Sequence, residues 1–246
     1  MALTEDKIKN LPVMDENTTA VAGKDTLIYI ALDKAPTWLL LGGQRNNPLS
    51  RKAESIDATS KDSGSYGDKL PGMLNWTMSY EGLYVMNDEA VDVLENRFNE
   101  RKPVFIRQEY PDGSYRTGWA SVTALDEDHS YSGVSTLKVT FEGKGAISDI
   151  QKLSAKPTLG TASGTFSKAA PPDVAVTITP PEANIRTVVM ADGTKLAQEV
   201  DYTYSQGALK LLKGGALKDH IVVGDNLITI TITADVKLTY KLKVTA

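Results

Sequence analysis

The sequence predicts a mostly β protein with one flanking α-helix, organised as two successive units. Apolar and polar residues alternate in segment after segment, which is the pattern of strands with one buried face. Only residues 87–102 show helical periodicity, and residues 148–172 contain few large apolar side chains. A chain of 246 residues is long enough for one or two domains.

The first part opens with two apolar strands, at 25–32 and 37–42. The segment NWTMSYEG then alternates strictly, so that Trp76, Met78 and Tyr80 share one face. Because successive side chains of a strand point to opposite faces, these three are expected to enter the core. The opposite face of the strand is made by Asn75, Thr77, Ser79 and Glu81.

Three later strands complete this part. PVFIRQEY (103–110) and YRTGWASVTAL (115–125) flank the turn sequence Pro-Asp-Gly-Ser, which predicts a hairpin. VSTLKVTFEG (134–143) is a further strand. Trp38, Trp76 and Trp119 are the three tryptophans, and alternation favours core packing over a sugar-stacking platform for those within the strands.

The predicted helix spans 87–102. Asn87 or Asp88 can cap its first turn, and Pro103 ends it. Val91, Leu94 and Phe98 form an apolar stripe at helical spacing, which favours packing on the protein's own sheet.

A polar connection over 42–72 separates two strand patterns. A connection of this length is usually functional or disordered, and its mixed charges suit contact with another copy of the chain. We expect it to be poorly ordered in a free subunit and ordered on assembly; the alternative is a solvated loop. The expected interface residues are Arg45, Arg51, Lys52, Glu54, Asp57, Asp62, Tyr66 and Asp68.

The second part is predicted as a linker over 148–172 followed by a compact β unit over 173–246. The Ala/Ser/Gly/Pro-rich linker predicts a module that folds alone and orients freely. In the last strand, Tyr240, Leu242 and Val244 fall on one face with Leu238, opposite Lys237, Thr239, Lys241 and Lys243. A small sandwich is the expected fold.

Charge excludes a nucleic-acid binder. Residues 1–160 carry 18 basic and 23 acidic side chains, a net of −5, and residues 161–246 carry 9 and 8, a net of +1. Binding to phosphates needs clustered cations. The N-terminal MALTEDKIKNLPVM lacks the apolar core of a signal peptide, and no segment has the length of a membrane span.

No catalytic motif is present, so no enzyme, cofactor or metal site is expected. His129 and His220 lack a partner motif, and the acids 126–128 lack the spacing of a calcium loop. LLLGGQRNNPLS does not match a phosphate-binding loop. Cysteine is absent. Spacing alone leaves open a carboxylate pair for glycoside hydrolysis, but no specific pair is indicated.

Residues 20–147 resemble the major tail tube protein family of long-tailed, non-contractile bacteriophages. The likeness lies in SIDATSKDSGSYGDKLPGMLNWTMSYEG, where a D-x-T strand end and a loop precede L-P-G-x-x-x-W. It continues through the helix, KPVFIRQEYPDGSYRTGWASVTAL and STLKVTFEGKG. The resemblance implies a tail-tube type β-sandwich or half-barrel with one flanking helix over 1–147, including an N-terminal arm at about 1–22.

The resemblance also implies a function. Hexameric rings of such subunits stack into a hollow tail tube, the 42–72 loop joins one ring to the next, and DNA passes through without sticking. Asn75, Thr77, Ser79 and Glu81 would face the lumen. The other implied partners are the neighbouring tail proteins and the tape measure protein. The protein would belong to the virion tail and assemble in the host cytoplasm.

The part after Pro172 resembles an immunoglobulin-like module of bacterial cell-surface and cellulosome proteins. The segments LAQEVDYTYSQGALKLLKGGAL and VGDNLITITIT carry this likeness. It implies an exterior decoration that could contact cell-surface carbohydrate. Two alternatives remain open: an extracellular carbohydrate-binding protein with an accessory module, and a tail-completion or distal tail protein that shares the fold.

Overall fold

Two β-rich units follow each other along the chain, each with its own hydrophobic core. The computed structural model describes residues 23–34, 36–214, 217–232 and 236–246. The N-terminal arm predicted at 1–22 lies outside these residues. The mostly β fold predicted from alternation is confirmed.

The first unit is an eight-stranded sheet that curls around its core. Its path runs β2-β1-β6-β7-β8-β5, and both β3 and β4 pair with β5. Strands from both ends of this path share one core, because Ile28 and Leu39 join the same cluster as Met78 and Val139. The strands are β1 Leu27–Ala31, β2 Trp38–Leu40, β3 Gln44–Asn46, β4 Leu49–Asp57, β5 Lys69–Leu83, β6 Val104–Glu109, β7 Tyr115–Asp128 and β8 Thr136–Gly143.

The face assignment for β5 is confirmed. Trp76, Met78 and Tyr80 are buried, and the residues between them are partly or fully exposed. The Trp76 indole lies against the backbone of β8, where a Cβ at Gly143 would be 2.2 Å from its nitrogen. Trp76 also donates a 2.9 Å hydrogen bond to the carbonyl of Gly145. The tryptophan therefore fixes the end of β8.

Helix α1 spans Glu89–Asn99 and begins as predicted, with Asp88 as its cap. One Asp88 carboxylate oxygen accepts from the Ala90 amide at 2.9 Å, and the other accepts from the Gly42 amide at 2.7 Å. The Asp88 side chain thus also fixes the chain at Gly42, just after β2. Val91 and Leu94 are buried on the sheet as expected, whereas Phe98 is more exposed than the predicted stripe requires.

The Gln44 side chain joins β3 to the far end of the sheet. It accepts a 2.9 Å hydrogen bond from the Ile28 amide and donates a 2.8 Å bond to the Ile28 carbonyl. These bonds bridge β1 and the β3–β5 edge, so the curled sheet is nearly closed.

The second unit is a sandwich of two sheets, ordered β10-β17-β16-β12-β13 and β14-β15-β11-β9. As predicted, Tyr240, Leu242 and Val244 are buried on one face of the last strand. The short helix Leu217–His220 precedes β16. The strands are β9 Thr158–Leu159, β10 Ser163–Ser167, β11 Val174–Thr179, β12 Ile185–Met190, β13 Lys195–Leu196, β14 Tyr202–Ser205, β15 Ala208–Leu211, β16 Gly224–Ile232 and β17 Val236–Thr245.

The segment predicted as a linker contains two strands of the second unit. β10 pairs in parallel with β17, and β9 pairs with β11. Phe166, inside the predicted linker, is buried in the second core. Small residues flank it, which hides the strand from a composition-based argument. The second sandwich therefore begins before residue 173.

Candidate assembly surfaces

The region predicted as a polar loop is mostly a projecting β-hairpin. β4 pairs with the first half of β5 as far as Asp57 and Lys69, and only residues 58–68 form the connecting turn. All of β4 after Leu49 is exposed. The predicted disorder of 42–72 therefore differs from the structure, because strand pairing satisfies the backbone without a buried core.

The hairpin turn is closed by a small polar network. Lys69 forms a 2.7 Å ion pair with Asp57, and the Thr59 amide donates to Asp57 at 2.9 Å. The Lys69 interaction, followed by the bonds from Thr59, lowers the pKa of Asp57 to about 2. The Thr59 hydroxyl accepts from the Asp68 amide at 3.0 Å. This network holds the base of the turn.

An apolar strip runs along the outer part of the hairpin and occupies both of its sides. Leu74 lies on the same side as buried Trp76, whereas the register shift between Ala53 and Ser55 places Leu70 and its partner Ile56 on the opposite side. The exposed fractions are 53% for Ile56, 54% for Leu70 and 81% for Leu74. Met73, on the side of the hairpin that carries Ile56 and Leu70, is 70% exposed. Soluble proteins rarely leave such contiguous apolar surface uncovered.

All eight residues predicted for the interface are exposed. Arg45 lies on β3, apart from the others. Arg51, Lys52, Glu54 and Asp57 lie on β4, and Asp62, Tyr66 and Asp68 lie in the turn.

Sequence reasoning based on charge missed the strip of Ile56, Leu70 and Leu74. The usable signal was Leu70-Pro-Gly-Met-Leu74, a segment with three apolar side chains directly before NWTMSYEG.

A polar face covers the outer side of the long strands β5, β8 and β7. The four residues predicted for the lumen lie here, and Thr77, Ser79 and Glu81 pair with Glu142, Thr140 and Lys138 of β8. Lys138 forms a 3.3 Å ion pair with Glu81. Asp126 and Asp128 of β7 are exposed beside this pair of strands. The face therefore combines hydroxyl groups with an excess of carboxylates.

A buried ion pair of the first unit is hydrogen-bonded to the second unit. Arg107 of β6, 2% exposed, forms a 2.9 Å ion pair with Glu109 and donates a 2.9 Å hydrogen bond to the Glu182 carbonyl. Asn184 donates to Glu109 at 3.2 Å. The Arg107 guanidinium also stacks on the Tyr115 ring at 3.7 Å. These contacts fix the second unit against the first, which differs from the expected free orientation.

The strand tryptophans do not all pack in the core. Trp76 is buried as expected, but Trp119 is 51% exposed. Its ring lies 5.0 Å from that of Phe105, which lies 5.5 Å from Trp38. The prediction was wrong for Trp119 because even-numbered residues of β7, such as Ala120, face the core at this point. The register bulge between Val122 and Ala124 shifts that parity further along the strand.

The two histidines lie in separate, exposed polar pairs. His129 contacts Glu127 at 2.9 Å, and His220 contacts Asp192 at 2.8 Å. Among the residues that the structure describes, no group of three or more His, Asp or Glu side chains could hold a metal ion. Over the same residues, the helices are too short or too polar to cross a bilayer.

Several solved structures are partly similar to this chain. A chain from the tail of an empty gene transfer agent particle with C6 symmetry is 25% identical, with a TM-score of 0.49, covering 52% of this chain and 98% of the other. A chain of the native gene transfer agent virion is 24% identical, with a TM-score of 0.48, covering 54% and 99%. The SPP1 tail tube structure is 11% identical, with a TM-score of 0.47, covering 54% and 81%.

The family assignment rests on sequence. Curated proteins give no match. The model of the phage tail tube protein family matches residues 20–149, just over half of the chain and nearly all of the first unit. This range includes the curled sheet, helix α1, the projecting hairpin and the polar face. The chain belongs to the phage tail tube protein family, and it is a structural component of the virion rather than an enzyme.

Proposed function

We propose that six copies of this chain form a ring and that rings stack into the tail tube of a non-contractile phage. The observation that carries this proposal is the apolar strip of Ile56, Leu70 and Leu74 on a hairpin that leaves its own domain. A projecting apolar strand that finds a different surface on the next copy makes a head-to-tail contact, and repeated contacts of that kind build an open filament. The hairpin would join one ring to the next.

The polar face of β5, β8 and β7 supports a role as the channel lining. Asn75, Thr77, Ser79 and Glu81 would face the lumen together with the neighbouring residues of β8. Carboxylates repel phosphates, and hydroxyl groups add no cations, so DNA would slide past without being held. DNA is thus the cargo of the tube and not a binding partner.

The second sandwich would decorate the outside of the tube as an Ig-like module. Its own core and its attachment through Arg107 support this placement, because both leave the hairpin and the polar face uncovered.

Further proposed partners are the neighbouring tail proteins, the tape measure protein and cell-surface carbohydrate. Assembly would take place in the host cytoplasm, before the tube joins the virion.

Two experiments test this proposal. Negative-stain microscopy of the purified chain should show tubes, and deletion of residues 60–67 should leave the fold intact but stop the stacking of rings. Normal tubes after that deletion would overturn the role of the hairpin turn in stacking, while the strip itself is tested by substitution.

The second experiment is truncation after Lys152, which removes the whole second sandwich including β9 and β10. Tubes should keep the same bore and lose outer diameter. A change of the bore would place the module in the channel and contradict the proposal.

A further inference from the structure

The outer face of the five-stranded sheet in the second unit is basic. Along β17, Lys237, Lys241 and Lys243 point outward, while Tyr240 and Leu242 between them are buried. Outward residues two apart in a strand are separated by about 7 Å, and those four apart by about 13 Å. Three lysine side chains therefore form a line along one face of β17, the strand next to the edge strand β10.

Hydroxyl groups lie on both sides of this line of lysines, together with the half-exposed Leu227 opposite Lys241. Thr231 lies opposite Lys237, Ser163 opposite Lys241, and Thr165 opposite Lys243. At the far edge, Lys195 of β13 adds a fourth ammonium group on the same face. The outward residues with hydroxyl groups are Ser163, Thr165, Ser167, Thr187, Thr229, Thr231, Thr239 and Thr245.

Carboxylates are segregated away from this face. Within the described strands of the sheet, Asp225 is the one outward carboxylate, and it forms a 2.8 Å ion pair with Lys241. Other acids of the module are engaged elsewhere: Asp173 pairs with Lys210, and Asp192 pairs with His220. A net positive face thus stands out on a chain whose formal net charge is −4.

We propose that this lysine and threonine face binds an extended, hydroxylated polyanion. Spaced ammonium groups would pair with the anions of the polymer, and the threonine and serine hydroxyls would bond to the hydroxyls between them. The face of a sheet suits a single chain lying on it, whereas reading duplex DNA needs an element that enters a groove. A polyol phosphate and a uronate polysaccharide share the required chemistry of regular anions on a hydroxylated chain.

This inference gives the proposed exterior module a class of ligand, and its biological setting rests on that proposed function. Four lysines, one of them already paired, give weak binding per copy. A tube presents the face on every subunit, so that one polymer can span several faces and bind by avidity. Binding should also weaken steeply with salt, because each ion pair releases counterions.

The test measures binding of the full chain to immobilised poly(glycerol phosphate) and polygalacturonate at several salt concentrations. The variant carries Lys237→Gln, Lys241→Gln and Lys243→Gln, all at exposed positions. It should lose about tenfold or more in affinity at low salt and show a shallower salt dependence. The matched control, Lys144→Gln with Lys152→Gln and Lys156→Gln, removes the same charge and should bind as the unmodified chain does.

A second variant should change the affinity in the opposite direction. Asp225→Asn frees Lys241 and should raise the affinity. Whichever polymer binds more tightly identifies phosphodiester or carboxylate as the source of the anions.

Three results would overturn the proposal: no binding to either polymer, equal loss in the control variant, or equally tight binding of duplex DNA. Because this assay does not require assembled tubes, failure to form tubes would overturn the proposed function without touching this inference.

Discussion

Ile56 and Leu70 lie directly opposite each other near the end of a hairpin that projects from its domain, and both side chains are more than half exposed. The Ile56 side chain lies over Gly72, where a Cβ would be only 3.0 Å from its Cδ1. The pair therefore presents a shaped apolar surface that its own subunit does not cover. A second subunit that covers it would gain about 25 cal/mol for each Å² of apolar area buried.

The first prediction concerns this strip. Leu70→Ser with Leu74→Ser should leave the fold of the subunit intact, because neither side chain is in the core. It should raise the protein concentration needed for tube formation by about tenfold or more, since each buried leucine contributes about 1.5–3 kcal/mol. Light scattering and microscopy measure this threshold.

A matched control for this variant is Val222→Ser with Val223→Ser, which removes two exposed apolar residues from the second unit. The threshold should not change in the control. An unchanged threshold in the leucine variant would show that the strip is not an assembly contact.

Much of the fold could be predicted because alternation encodes it directly. The buried set Trp76, Met78 and Tyr80 follows from period two, and Asp88 caps α1 because its side chain suits the first turn. The exposure of the apolar strip could not be predicted, because apolar residues in a strand can pack in the subunit's own core or against a partner. The role of Arg107 could not be predicted either, since it lies in a regular strand and its hydrogen-bond partner Glu182 follows 75 residues later.

A second prediction follows from the ion pair at the hairpin turn. The Asp57 carboxyl should titrate with a pKa of about 2 in the folded protein, below its usual value. A lowered pKa stabilises the turn above about pH 4, and this contribution is lost as the pH falls towards 2. NMR titration of the Asp57 side chain measures it. Lys69→Gln should return the pKa towards its usual range, and a normal pKa in the unmodified chain would contradict the geometry.

The third prediction concerns the proposed channel lining. Thr77→Lys with Ser79→Lys places cations on the polar face without disturbing the buried side of β5. DNA ejection from particles that carry this variant should slow at low salt and recover at high salt, because screening weakens the attraction of phosphates. Thr77→Asn with Ser79→Asn is the neutral control. If the lysine variant and the control eject DNA at the same rate at low salt, the assignment of this face to the lumen is wrong.

The fourth prediction concerns the junction between the units. Arg107→Ala leaves Glu109 buried beside a truncated partner and should lower the free energy of unfolding by about 3–5 kcal/mol. The double variant Arg107→Met with Glu109→Gln removes both charges, keeps an acceptor for Asn184 and should lose less. Chemical denaturation measures both. Equal losses in the two variants would mean that packing, not charge pairing, holds the junction.

The hairpin strip should become buried when subunits assemble, and thiol labelling measures this burial most directly. The chain has no cysteine, so Leu74→Cys supplies a single reactive thiol. Labelling should be fast in the free subunit and strongly slowed in assembled tubes, while Lys237→Cys on the outer module should label at similar rates in both. A Leu74→Cys thiol that labels equally fast before and after assembly would contradict the account.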